Sequence, residues 1–153
     1  MLVVVYKVFV GLLLATFIGV GIAAFAPEPK PPEAPIAVMA PGSATQSPEA
    51  QKEMEEFRNA TRAFQVELAI YNRNVSAASA VASIVMLVLS LSLLRAIGLF
   101  SDGFLLGGIL TFTYSVLRGF AAEDNMFRFV IVSIGLVIAL TLGYVRFVRR
   151  LET

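Results

Sequence analysis

The chain contains no cysteine, no histidine and no tryptophan. Without cysteine, no disulfide, thiolate metal site or redox pair can form. Without histidine, the commonest metal ligand, haem ligand and general base is missing. Without tryptophan, an interfacial aromatic belt has to rely on tyrosine, with phenylalanine adding apolar anchoring. Charge is scarce as well. Lys and Arg number 12 against 11 Asp and Glu, a net charge of +1, and charged residues make up 15% of the chain, where soluble domains carry about 25%. A balance this close to zero gives no reason to expect nucleic acid as a partner. No phosphate loop, dinucleotide fingerprint or metal-ligand cluster is present, and no serine, lysine and acid arrangement is recognisable. The sequence therefore offers no catalytic, cofactor-binding or metal-binding residue, and the chain is not expected to be an enzyme.

What is abundant is apolar. Hydrophobic residues reach 58%, mean hydropathy is +0.80, and the excess is gathered into four runs. A membrane span needs about 17–25 residues at the helical rise of 1.5 Å. The runs meet that need and predict transmembrane helices over 1–26, 76–99, 104–120 and 127–147, with a short basic tail at 148–153. The first run ends in "GIAAFAPEPKPP", where Ala24 and Ala26 fit the small-x-small pattern of a signal-peptidase site. Three features favour an uncleaved anchor instead. The apolar stretch exceeds the 7–15 residues or so of a signal core, only Lys7 precedes it, and Pro27 would stand just after the cut.

Residues 27–47 hold six of the seven prolines and predict an extended, semi-rigid extramembrane linker. Residues 48–75 predict an amphipathic extramembrane helix, with Ser47 as N-cap and Pro48 in the first helical position. No helix breaker follows before Gly98, so this projection is expected to continue unbroken into the second span. Its apolar residues Met54, Phe57, Thr61, Phe64, Leu68, Tyr71 and Val75 alternate at spacings of three and four, the seam of a coiled coil or bundle. "SDG" and "AAEDN" are the expected turns between the later spans, and such short loops force antiparallel neighbours. The fold class is thus all-α, an integral membrane four-helix protein whose long second helix rises out of the bilayer. Both termini lie on one side. The basic cluster of Arg146, Arg149 and Arg150, with Lys7 and Arg95, places that side in the cytoplasm and the chain in the cytoplasmic (plasma) membrane.

Small residues recur every four positions in the first span (Gly11, Ala15, Gly19, Ala23) and in the fourth (Gly135, Ala139, Gly143). Such ridges let helix backbones approach closely in lipid. Hydroxyls crowd the second span, and in the third Thr111, Thr113, Tyr114 and Ser115 form a candidate polar cavity. No ionisable residue lies centrally in any span, which argues against proton-coupled transport and voltage sensing. Asp124 and Arg128 are four apart and positioned to pair. Two functions fit. One is a non-catalytic structural or accessory subunit that meets membrane lipid, other subunits or its own copies through the small-residue ridges and the aromatic seam. The other is a small homo-oligomeric channel or uncoupled permeation pathway lined by the hydroxyl-rich spans.

Overall fold

The computed structural model describes residues 1–35, 48–93 and 98–145. Among them are four α-helices and no strand: α1 (Leu2–Phe25), α2 (Pro48–Leu93), α3 (Gly98–Phe120) and α4 (Asn125–Gly143). Each is long and apolar enough to cross a membrane. Ser47, Arg95, the linker residues 36–47, the cluster of Arg146, Arg149 and Arg150, and the tail 148–153 lie outside the described residues.

The uninterrupted second helix is present. It runs 46 residues, about 70 Å at the helical rise, with Pro48 in its first turn, where a missing N–H costs no hydrogen bond. Helix α1 is apolar all round and almost wholly exposed, as suits a helix whose surroundings are lipid. It ends where Ala26 donates its N–H to the Ile22 carbonyl, at 2.8 Å, and the proline-rich segment begins.

Helix α3 is the centre of the bundle. Helix α2 packs along it antiparallel and makes the most extensive contact, α1 runs parallel to it, and α4 touches it lightly. Few large side chains are buried, Met86, Leu87 and Ile131 among them, and the most completely enclosed ones among the described residues are Thr111 and six serines. Close approach of backbones does the packing that large apolar cores do in water, because lipid gives no hydrophobic drive to bury a leucine.

The expected turn "SDG" belongs instead to helix α3, which starts at Gly98. Each of its three turn-forming residues has a tertiary role that overrides local preference. The Ser101 hydroxyl donates to the Ser90 carbonyl, Asp102 pairs with Lys7 of α1, and Gly103 lets Val10 approach. The turn between α3 and α4 falls where expected. Glu123 adopts a left-handed φ of 56°, and Asp124 caps α4 by accepting from the N–H groups of Met126 (3.0 Å) and Phe127 (3.1 Å). This cap replaces the expected Asp124–Arg128 pair. Arg128 turns back to donate to the Phe120 carbonyl at 2.7 Å and to Asn125 Oδ1 at 3.2 Å, satisfying the end of α3 in place of a glycine cap.

Candidate functional site: a serine seam and an arginine knot

Three rungs join α2 to α3, each seven residues from the next along both helices. In the first, Ser76 Oγ donates to the Ser115 carbonyl and Ser115 Oγ donates to the Ser76 carbonyl, both at 2.7 Å. In the second, Ser83 Oγ donates to the Gly108 carbonyl at 2.8 Å. In the third, Ser90 and Ser101 repeat the reciprocal exchange at 2.7 and 2.8 Å. A seven-residue period keeps one face of each helix on its neighbour, and serine is small enough to let its hydroxyl reach the facing backbone. Each interhelical hydrogen bond of this kind contributes about 0.6 kcal/mol in a membrane protein, so five amount to roughly 3 kcal/mol. Gly108 belongs to this seam because a Cβ there would lie 2.7 Å from Leu87 Cδ2 and 2.8 Å from its Cγ. Two further buried hydroxyls, Ser79 and Thr111, engage no partner among the described residues.

At one end the seam runs into a polar knot around Arg118. Its Nη1 donates to Asn72 Oδ1 at 2.7 Å, and its Nε donates to the Tyr114 hydroxyl at 3.1 Å. The guanidinium lies over the rings of Tyr71 (5.6 Å) and Tyr114 (5.8 Å). Glu28 of the proline-rich segment approaches Nη1 at 3.5 Å. Asn72, itself buried, passes the network on to the Ala121 carbonyl. One planar cation thus ties together the linker, α2, α3 and the α3–α4 turn. A guanidinium suits the task because it can stack on rings and donate from several edges at once. At the opposite end of the bundle, the Lys7–Asp102 pair joins α1 to α3.

Between α1 and α3 the contact is made by glycines. A Cβ on Gly107 would sit 3.0 Å from Leu14 Cβ and 3.2 Å from the Gly11 carbonyl oxygen. One on Gly11 would sit 2.9 Å from Leu106 Cβ, and one on Gly103 would sit 2.8 Å from Val10 Cγ1.

The small-residue ridges divide. Gly11 is in contact with α3 and Gly135 receives the Phe112 ring, whereas a Cβ on Gly19 or Gly143 would meet no other part of the described chain within 4 Å. Ala15 is half-buried, and Ala23 and Ala139 are exposed. The residues of the candidate polar cavity point in different directions. Thr111 and Ser115 are buried, with Ser115 in the seam. Tyr114 serves Arg118, and Thr113 faces outward with its hydroxyl bonded back to the Ile109 carbonyl. Along the projection, Met54, Phe57, Thr61, Phe64, Leu68 and Tyr71 are half-buried and Val75 is buried, while Val66 and Ile70 on the other flank are exposed.

Two signals in the sequence went unused. The seven-residue spacing of Ser76, Ser83 and Ser90 matches that of Ser101, Gly108 and Ser115. Gly103 and Gly107 form a GxxxG pair, hidden by starting the third span at Phe104.

No family model matches this chain, and no curated protein or solved structure matches it.

Proposed function

We propose that this membrane helical bundle is a non-catalytic structural or accessory subunit of a membrane complex, resident in the cytoplasmic membrane with both termini on the cytoplasmic side. The observation that carries this reading is the division of labour among the helices. Ser76, Ser83 and Ser90 of α2 and Ser101, Ser115 and Arg118 of α3 are engaged inside the chain, in the seam and the arginine knot. Helices α1 and α4 keep nearly all their apolar surface outward, with Gly19, Ala23, Ala139 and Gly143 open to a neighbouring helix. Those open faces and the projecting part of α2 are the surfaces through which partner subunits attach. The outward hydroxyls of Thr16, Thr113, Ser133 and Thr141 all bond back to their own helices. This is how hydroxyls are satisfied next to lipid or a packed helix, and among these four it leaves no row of free donors of the sort a permeation path uses.

The test is photo-crosslinking in the native membrane from a benzoylphenylalanine placed at Val20 of α1 or Leu136 of α4, both exposed. Adducts to a different polypeptide are the expected result. Adducts only to lipid from both positions, or only to further copies of this chain, would overturn the proposed role.

A further inference from the structure

An open groove of about 400 Å³ lies between α2 and the start of α4. It is lined by the apolar Ala77 of α2 and Met126, Phe127 and Val130 of α4, together with the polar Arg73, Asn74 and Asp124. The groove sits where α2 passes from its charged projection into its apolar span and where α4 begins, the level at which lipid headgroups meet the hydrocarbon. Arg73 and Asp124 are of opposite charge and line the same groove, yet they form no ion pair with each other or with any described residue. Asp124 Oδ1 is taken by the Met126 and Phe127 amides, while Oδ2 accepts from no group among the described residues. Arg73 is exposed and donates no hydrogen bond among them.

A cation and a carboxylate that line one groove with apolar side chains, without pairing with each other, match a ligand bearing both charges on one headgroup and a hydrocarbon tail. We propose that this groove binds a zwitterionic glycerophospholipid with a primary ammonium. Its phosphate meets Arg73 and Asn74, its ammonium meets the free oxygen of Asp124, and an acyl chain lies on Ala77, Phe127 and Val130. An anionic phospholipid satisfies Arg73 but leaves Asp124 facing a negative headgroup, so the site discriminates by charge pattern and not by net charge. The site rests on the membrane reading above, since only a chain inserted to this depth offers the groove to lipid.

The test is native mass spectrometry of the full chain in detergent doped with equal amounts of phosphatidylethanolamine and phosphatidylglycerol. Retention of phosphatidylethanolamine is expected to exceed that of phosphatidylglycerol about tenfold, the weight of one charge-assisted hydrogen bond. Asp124→Asn preserves the helix cap, because Asn caps as well as Asp, and is expected to abolish that preference. Arg73→Gln is expected to lower retention of both lipids by about tenfold. Equal or stronger retention of phosphatidylglycerol by the unaltered chain overturns the proposal, as does a preference that survives Asp124→Asn. A two-chain mass without lipid that dissociates on Arg73→Gln also overturns it, since a second copy would then occupy the groove. Alkaline carbonate extraction separates the two levels of failure. A chain that stays in the membrane pellet but shows no lipid preference refutes the lipid site alone, while a chain released to the supernatant refutes the membrane role as well.

Discussion

The crossing of α1 on α3 gives a sharp test, because the obstacle there is backbone. Any side chain at position 107 places its Cβ 3.0 Å from Leu14 Cβ and 3.2 Å from the Gly11 carbonyl oxygen. Carbon contacts are comfortable at about 3.5–4.0 Å, and a radial gap of 0.5–1 Å forfeits roughly a quarter to a half of each contact's attraction. Neither obstructing atom is the tip of a flexible side chain, so α1 has to move away as a whole. Overpacking of this kind costs about 1–3 kcal/mol, a factor of roughly 5 to 150 in the docked population. The chain has no cysteine, which permits a clean reporter. The Cβ at position 103 would lie 3.2 Å from Val10 Cβ, close to the separation of about 3.8 Å in a disulfide. Val10→Cys with Gly103→Cys should therefore cross-link readily under mild oxidation in the membrane. Adding Gly107→Ile should cut the initial cross-linking rate by about tenfold. Adding Gly19→Ile, where an added Cβ meets no other described part of the chain within 4 Å, should leave it unchanged. Equal rates with and without Gly107→Ile would refute the claim that glycine contact holds α1 to α3.

Three further outcomes follow from the same geometry. Ser83→Ala removes the hydroxyl that reaches the Gly108 carbonyl and should lower stability to denaturing detergent by about 0.6 kcal/mol, whereas Ser79→Ala deletes a buried hydroxyl with no partner and should be neutral or stabilising. Arg118→Ala leaves buried Asn72 without its charged donor and unties Glu28. It should destabilise the bundle by about 2 kcal/mol and speed cleavage after Glu33 by a glutamate-specific protease, while unchanged cleavage would show that the knot does not hold the linker. Glu123→Gly relieves a left-handed φ of 56° and should stabilise by about 1 kcal/mol in the same detergent titration.

Much of the architecture could be read from the sequence because its determinants are local. Length and apolarity define a span, and the absence of Pro or Gly from 49 to 97 leaves α2 no place to break. The gaps arose where tertiary contacts overrule local signals. Ser101, Asp102 and Gly103 carry the composition of a turn, yet Ser90, Lys7 and Val10 draw them into α3. Asp124 and Arg128 have the spacing of a helical ion pair, but Asp124 stands before the helix as its cap and Arg128 is drawn to the end of α3. The periodicity that pairs Ser76, Ser83 and Ser90 with α3 was visible, but which hydroxyls face a neighbour depends on helix rotation, and spacing within one span does not reveal that. The knot was hidden for a related reason. Glu28, Asn72 and Arg118 are far apart in the chain, and only the antiparallel packing of α2 on α3 brings them together.

The most direct test of the accessory-subunit role is native mass spectrometry of the assembly released gently from its own membrane. The proposed role requires a mass containing the 16.5 kDa chain together with different polypeptides, and loss of those polypeptides when Gly19 or Gly143 is replaced by Ile. A bare monomer, or whole multiples of this chain alone, would contradict it.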